Sequence, residues 1–247
     1  MINLSPNGGN SMLKQMVRDG AAAMKIDMSA AQAEQFALYH DMLVEANRLM
    51  NLTRVPEDLR ESVDRNYLDS ISPLALSLPS AARAIDVGSG AGFPGIPLAI
   101  MLPRTRFTLL DSQGKRVQFL QSVIDALSLN AEAVHSRAED AARQPVYRES
   151  FDLAVARAVA PMNVLCELML PFVSLGGCML SMKGPGLDDE LITARSAIEL
   201  LGGGEPQVYS LPVPGRSWNH RAACIPKLVH TPEKYPRAAG KPEKRPL

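Results

Sequence analysis

The feature that most constrains this chain is a glycine-rich segment that directly follows a short apolar run. The segment reads AIDVGSGAGFPGIP over residues 84–97. Glycine tolerates a positive φ and lets a ligand approach the backbone closely. The pattern therefore predicts a buried strand, a tight turn with Gly88, Gly90 and Gly92 at a ligand site, and a helix that begins after the turn.

Two nucleotide ligands are compatible with this turn. Gly90, Gly92 and Gly95 match the spacing of the dinucleotide fingerprint, which is a weak signal when it stands alone. Asp86 discriminates between the ligands, because a carboxylate at the strand end neutralises an ammonium group and repels a pyrophosphate. The sequence therefore favours S-adenosylmethionine as the cofactor, with NAD as the alternative.

Three later strand ends carry residues that suit the same ligand. Asp111 ends the second strand-like run, where a carboxylate accepts hydrogen bonds from ribose hydroxyls. Small and acidic residues over 135–140 follow the third run and are suited to hold an adenine by main-chain contacts. Arg157 leaves the fourth run and either points into the ligand crevice or pairs with a neighbouring helix.

The order of apolar patterns predicts the fold class. After residue 79, strand-like runs alternate with helical patterns, as expected for an α/β protein with a mostly parallel sheet and helices on both faces. The last two runs predict an antiparallel hairpin at one sheet edge. The seven runs are 84–87, 107–110, 131–135, 151–156, 178–182, 207–211 and 222–225.

The N-terminal segment to about Asn10 is polar and Gly-rich, and we predict that it is disordered. The rest of the N-terminal part is predicted to be entirely helical. A helix is predicted over 11–24, and a second begins after Ser29, which forms a capping box with Gln32. A third is predicted from Pro56 to about Leu76. The expected parts are a helical extension over 1–78, a domain that binds S-adenosylmethionine over 79–229 and a basic, Pro-rich tail over 230–247.

Charge and composition set limits on the partners. The formal net charge is +0, which does not indicate an obvious nucleic-acid binder, but Lys and Arg are concentrated in the tail. The chain shows no secretory signal, no apolar stretch long enough for a membrane span and no cysteine motif for a metal. We therefore expect a cytoplasmic protein, monomeric and without a bound metal.

The full set of motifs resembles the RsmG (GidB) family of bacterial 16S rRNA guanine-N7 methyltransferases. The resemblance extends over about 36–247, and the long glycine turn and the tail are its most specific parts. The matching stretches are 51–53, 67–70, 85–100, 108–120, 136–140, 156–161, 182–184 and 234–247.

This resemblance implies a Rossmann-like class I methyltransferase with a seven-stranded sheet. The implied activity is methyl transfer from S-adenosyl-L-methionine to N7 of one guanine of the small subunit, the equivalent of guanine 527. The implied partner is 16S rRNA or the small ribosomal subunit. The implied cofactor contacts are Gly88, Phe93, the Ala138–Glu139 main chain and Arg157, to which the residues above add Asp86, Gly90 and Asp111.

The candidate RNA-binding residues are Asn51, Asp69, Lys183, Arg221, Lys234 and Arg237. Two positions depart from the family pattern. Asn66 stands where relatives often have His, and Ala238 stands where a second Lys often follows the Pro-Arg of the tail. We expect position 66 to orient the N-terminal helices, and we expect the missing Lys to weaken phosphate contact.

No catalytic residue is predicted. Guanine N7 carries a lone pair and no proton, so the attack needs no general base, and His135 and His220 lie in no nucleophile motif. The alternatives are a methyltransferase that acts on a protein or small molecule, an NAD-dependent oxidoreductase, and an RNA-binding protein without activity. The oxidoreductase lacks support because the chain has no Tyr-x-x-x-Lys motif and no histidine at a hydride site.

Overall fold

A computed structural model describes residues 6–50, 52, 56, 58–76 and 80–247. The strands are β1 (Arg83–Val87), β2 (Arg106–Asp111), β3 (Ala131–His135), β4 (Phe151–Arg157), β5 (Val173–Lys183), β6 (Gln207–Ser210) and β7 (Arg221–Pro226). The α-helices are α1 (Pro6–Ala23), α2 (Ala30–Met50), α3 (Leu59–Ser62), α4 (Asp69–Ile71), α5 (Gly95–Met101), α6 (Gly114–Leu127), α7 (Ala138–Ala141), α8 (Met162–Met169), α9 (Leu187–Leu200) and α10 (Lys241–Lys244).

The strands form one seven-stranded sheet in the order β3-β2-β1-β4-β5-β7-β6. Strands β1 to β5 are parallel, and β7 is antiparallel to both β5 and β6. This arrangement confirms the α/β prediction and the edge hairpin. The strand order reverses between β1 and β4, and ligands of open parallel sheets bind at such a point, outside the carboxyl ends of the strands.

Successive strand residues face two separate apolar cores. Ala84 and Phe107 belong to the core under α1, α2, α5 and α6, whereas Ile85 and Ala154 belong to the core under α8 and α9. Both sheet faces are therefore covered by helices, as predicted. The helices α1 and α2 share the first core with the sheet, so the N-terminal segment packs directly on the α/β domain.

The prediction of disorder up to Asn10 is wrong for residues 6–10, which form the first turns of α1. Proline suits the first turn of a helix, and the Asn10 amide donates to Asp41 of α2 at 2.8 Å, so docking on α2 supports this end. The predicted capping box is confirmed. The Ser29 N–H donates to Gln32 Oε1 at 2.8 Å, and the Gln32 N–H donates to Ser29 Oγ at 3.2 Å.

The third N-terminal helix begins at Leu59, so its predicted start at Pro56 is wrong. Asp58 is the N-cap, because its side chain accepts the Glu61 N–H at 2.7 Å. The hydrogen-bond pattern of the helix then changes. π-Helical turns over Val63–Leu68 precede α4, and a 3₁₀ turn over Ser72–Ala75 follows it. π-helical segments are frequent at functional sites, and this one carries residues of the cleft described below.

Strand β5 begins at Val173 and not at Cys178 as predicted. The extra residues pair through a register shift between Phe151 and Leu153 of β4, an irregularity that apolar periodicity does not reveal. In the tail, only α10 is regular. No helix in the described part of the chain is long and apolar enough to cross a membrane.

Candidate cofactor and substrate site

The glycine turn follows β1 and has the backbone that the sequence predicts. Gly88, Gly90 and Gly92 have φ values of +76°, +60° and +106°, in the region that side chains disfavour. The N–H groups of Gly88 and Ser89 donate to the Leu110 carbonyl at 2.8 and 3.0 Å, which ties the turn to the end of β2. The turn therefore lies at the reversal point of the sheet with its backbone open to a close approach.

Asp86 lies beneath the turn and is fully buried. Its Oδ2 accepts the Gly95 N–H at 3.0 Å, whereas its Oδ1 has no hydrogen-bond partner. Burial raises the pKa of Asp86 to about 7, an effect that the Ser89 hydroxyl, the Gly95 N–H and the positive charge of Arg157 only partly offset. A buried carboxylate oxygen without a donor costs free energy, which a cationic ligand group would relieve.

Asp111 lies at the end of β2 and holds the neighbouring backbone. Its Oδ2 accepts the Gly90 N–H and its Oδ1 accepts the Gln113 N–H, both at 2.8 Å. A carboxylate has about four lone-pair positions, so acceptor capacity remains for two hydroxyl groups. This geometry suits the predicted ribose contact.

Arg157 joins the turn to the helical segment before β1. Its guanidinium lies over the Phe93 ring at 5.1 Å, and its Nη1 donates to Asp69 Oδ2 and to the Arg65 carbonyl, both at 2.8 Å. The ion pair with a neighbouring helix is thus present, and the same side chain also lies beside the turn. The predicted site residues Phe93, Asp69 and Arg157 are brought together.

Ala138 and Glu139 form the first turn of α7, whose N–H groups have no partner within the helix. The Glu139 carboxylate is buried and accepts the Gly240 N–H of the tail at 2.8 Å, with Arg137 at 3.6 Å. The side chain of Glu139 is therefore directed to the tail. Its main-chain N–H and that of Ala138 remain available to a ligand, which is the contact that the resemblance implies.

A cleft of about 460 Å³ lies next to Arg157 at the carboxyl ends of β4 and β5. Lys183 lies in it but is only 8% exposed, and its Nζ donates to Glu190 Oε2 at 2.6 Å and to the Ala160 carbonyl at 2.5 Å. The lining residues are Arg65, Asn66, Asp69, Arg157, Ala158, Met182, Lys183, Gly184, Glu190, Leu211 and His220.

The remaining predicted RNA-side residues are dispersed. Arg221 pairs with the exposed Asp188 at 2.6 Å, and Lys234 is exposed beside the Tyr235 ring. Arg237 forms a two-pronged ion pair with Glu167, which is fully buried, so its charge anchors the tail to α8. Asn51 lies outside the described residues.

The two departures from the family pattern have different surroundings. Asn66 is buried in the π-helical segment, where its side-chain amide donates to Ser62 Oγ at 3.3 Å and its backbone carbonyl accepts from Ser70 Oγ at 2.5 Å. It therefore braces its own helix at the cleft wall. Ala238 is exposed in the tail, where a longer basic side chain would be in contact with solvent.

Sequence reasoning missed two contributions to the site. The Tyr39 hydroxyl of α2 donates to the Ala91 carbonyl in the glycine turn at 2.7 Å, and both groups are buried. A tyrosine on an apolar helix face signals that its hydroxyl needs a partner, but not which one. His220 lies in no sequence motif, yet its Nδ1 lies 2.7 Å from Asp69 Oδ1 at the cleft.

The described residues fit S-adenosylmethionine better than a dinucleotide. The unpaired Asp86 oxygen suits an ammonium group and would repel a pyrophosphate at the turn. Gly95 packs so closely that an added Cβ would lie 2.5 Å from Asp86 Oδ2, so this glycine serves the packing of α5. Among the residues described, no group of His, Cys, Asp and Glu side chains is arranged to hold a metal ion.

Comparison with known proteins agrees with this geometry. Residues 32–217 match the family described as rRNA small subunit methyltransferase G. The ribosomal RNA small subunit methyltransferase G of Alkaliphilus oremlandii is 44% identical over 95% of this chain and 99% of its own length. That of Pelotomaculum thermopropionicum is 41% identical over 96% of this chain and 100% of its own length.

Among solved structures, the O-methyltransferase from Bacillus cereus in complex with SAH has the same fold. Its TM-score is 0.56 at 15% identity, over 88% of this chain and 100% of that chain. The fold prediction is thereby confirmed, and the sequence relatives identify the family. This chain belongs to the rRNA small subunit methyltransferase G family.

Proposed function

We propose that this protein transfers a methyl group from S-adenosylmethionine to N7 of one guanine in 16S rRNA, the equivalent of guanine 527. The observation that carries the proposal is the position of Arg157. Its guanidinium lies between the glycine turn and a cleft of about 460 Å³. A cofactor on the turn and a base in the cleft would therefore be neighbours.

The turn and the strand ends supply the cofactor contacts. Asp86 would neutralise the ammonium group, and Asp111 would accept hydrogen bonds from the ribose. The first-turn N–H groups of Ala138 and Glu139 would hold the adenine. Gly88, Gly90 and Phe93 would hold the methionine part, together with Arg157. The bound cofactor supplies an electrophilic methyl group on a positively charged sulfur.

The protein's contribution to the reaction is orientation. Guanine N7 is a nucleophile without a proton, so no side chain has to remove one. Holding the two reacting groups in line contributes several kcal/mol. We therefore expect that replacing Lys183 or Arg221 lowers turnover without abolishing it. A variant at either position that binds cofactor normally and shows no turnover would contradict this view.

The RNA is contacted around the cleft and by the tail. Lys183, Arg221 and Arg237 already have carboxylate partners. Because these carboxylates neutralise much of the positive charge, the three side chains contribute less to phosphate binding. Lys234 is exposed and has no ion pair within the described residues, so it can contact phosphates, and Asn51 and Asp69 stay candidates from the family resemblance. We place the protein in the cytoplasm as a monomer that acts on the small subunit.

The test is methyl transfer from labelled S-adenosylmethionine to small ribosomal subunits that lack the modification. Chemical cleavage at N7-methylguanine then maps the site. We expect cleavage at one guanine with the wild type and none with D86A, which removes the ammonium contact. Label in RNA without cleavage would reject N7, and label in protein alone would favour the alternative of a protein substrate.

A further inference from the structure

A cluster of flat side chains lies at the rim of the cleft, and we refer to Trp218, His220, Arg65 and Arg216 as the Trp218 platform. Trp218 lies in the loop between β6 and β7 and is partly exposed. The His220 ring stacks on it with a centroid distance of 5.1 Å and an angle of 26°. The guanidinium groups of Arg65 and Arg216 lie over the indole at 4.8 and 5.3 Å.

The platform is continuous with the cofactor side of the site. His220 and Arg65 both line the cleft. His220 contacts Asp69, Asp69 contacts Arg157, and Arg157 lies over Phe93 of the glycine turn. Trp218 therefore lies beyond the cleft as seen from the turn, where the nucleotide next to a bound guanine would emerge.

The charges around the platform are largely neutralised. Arg216 pairs with the buried Asp64 at 2.7 Å, and Arg65 pairs with Glu61 at 2.6 Å. The whole chain has a formal net charge of +0. Attraction to phosphates is therefore weak at the platform, and RNA affinity at this surface has to come from shape and from the stacking of unpaired bases.

The Arg65 side chain is half exposed and its ion pair is a surface pair between residues one helical turn apart. Such pairs contribute little free energy, so the ion pair does not hold the guanidinium on the indole. A nucleobase is flat and can take that position, because bases stack on tryptophan and on guanidinium planes alike.

We propose that the Trp218 platform binds an unpaired base of single-stranded RNA, adjacent to the guanine that enters the cleft. This proposal rests on the proposed function for the identity of the RNA. It assigns Trp218 a role in substrate binding and none in the chemical step. Base stacking of this kind contributes about a tenfold to hundredfold gain in affinity per base.

The experiment compares W218L and W218F with the wild type in methyl transfer to unmodified small subunits. Leucine removes the flat ring, whereas phenylalanine keeps one. We expect W218L to raise KM for the subunit by about tenfold to hundredfold with kcat little changed, since 1.4 kcal/mol corresponds to a tenfold change. W218F should restore most of the affinity, and cofactor affinity measured by calorimetry should not change in either variant.

The matched control is N219A, which alters the neighbouring exposed residue of the same loop and should behave as the wild type. A W218L enzyme with wild-type KM would overturn the platform while leaving the proposed function intact. A loss that W218F does not restore would equally overturn it, because it would indicate a packing role.

A second measurement is independent of turnover and of the variants. Trp218 is the only tryptophan in the chain, so its fluorescence reports this loop alone. We expect quenching by a single-stranded oligoribonucleotide of uridine and guanosine, and little by inorganic polyphosphate of equal charge. Equal quenching by the two would overturn the proposal. The fluorescence measurement still tests the platform if the wild type methylates no RNA and the proposed function fails.

Discussion

Asp86 combines complete burial with one unpaired carboxylate oxygen, and its ionisation should control cofactor binding. Burial raises its pKa to about 7 in the free protein, so at pH 6 it is mostly protonated. A cationic ammonium group favours the ionised form. The affinity for S-adenosylhomocysteine should therefore rise about fivefold to tenfold between pH 6 and pH 8, measured by calorimetry.

The D86N variant provides the comparison. It should bind the ligand more weakly at pH 8, and its affinity should no longer rise between pH 6 and pH 8.

The same carboxyl also affects stability. The pKa of Asp86 in the folded protein lies above its value near 4 in the unfolded protein, so this carboxyl lowers stability as pH rises from about 4 to 7. D86N should remove that decline in urea unfolding. A wild-type affinity that stays constant between pH 6 and pH 8 would contradict the assignment.

Gly95 is a second residue whose role depends on very short distances. An added Cβ would lie 2.4 Å from Leu109 Cδ2 and 2.5 Å from Asp86 Oδ2. We therefore expect G95A to lower the free energy of unfolding by about 1–3 kcal/mol, as measured with urea. The control is G114A at the start of α6, where the nearest atom would be His135 Cε1 at 3.4 Å. Equal stability of the two variants would refute this explanation.

At the scale of elements, the link between α2 and the glycine turn is the contact that shapes the site from outside the sheet. Tyr39 donates to the Ala91 carbonyl, and an added Cβ at Gly92 would lie 2.7 Å from the Tyr39 hydroxyl. We expect Y39F to cost about 1–3 kcal/mol of stability, because a buried acceptor loses its donor, and to weaken ligand binding as well. Urea unfolding and calorimetry measure the two effects.

Y67F is the matched control for that link. The Tyr67 hydroxyl is also buried, but it bonds to His40 Nδ1 at 2.8 Å and not to the turn. It should lose stability and keep its ligand affinity. If Y39F kept full ligand affinity, α2 would have no part in shaping the turn.

The tail contains charges of two kinds. Lys241, Lys244 and Arg245 are exposed and have no ion pair within the described residues, whereas Arg237 pairs with the buried Glu167. Replacing the first three by Gln should leave stability unchanged and lower the salt dependence of RNA binding, with a slope smaller by about 2–3. Filter binding at several salt concentrations measures the slope.

The R237M variant tests the tail charge that is paired with a buried carboxylate. It leaves Glu167 buried without its cation, and we expect a loss of about 3–5 kcal/mol in the free energy of unfolding. The deletion of 230–247 would combine both effects and so could not separate RNA contact from folding. An unchanged salt slope in the triple variant would remove the tail from the RNA interface.

At the scale of the whole molecule, the N-terminal helices and the sheet share one apolar core. Leu13 and Phe36 belong to the same cluster as Phe107 and Val155. We therefore expect one cooperative unfolding transition, with the same midpoint by far-UV circular dichroism and by Trp218 fluorescence. Loss of ellipticity ahead of the fluorescence change would instead support an independent helical extension over 1–78.

The sequence alone determined the fold class, the strand order along the chain and the glycine turn. These features depend on local patterns: the apolar periods of strands and helices, and the need for glycine at positive φ in Gly88, Gly90 and Gly92. The start of the third helix and the length of β5 were missed, because a competing cap at Asp58 and a register shift decide them.

Only the tertiary structure decided which distant residues meet. Tyr39 reaches the turn, His220 reaches Asp69, and Gly240 reaches Glu139 across long separations in the chain. It also decided that Lys183 and Arg237 already have carboxylate partners, which no charge pattern reveals. The physical reason is that local propensity acts over a few residues, whereas hydrogen bonds and ion pairs depend on packing between elements.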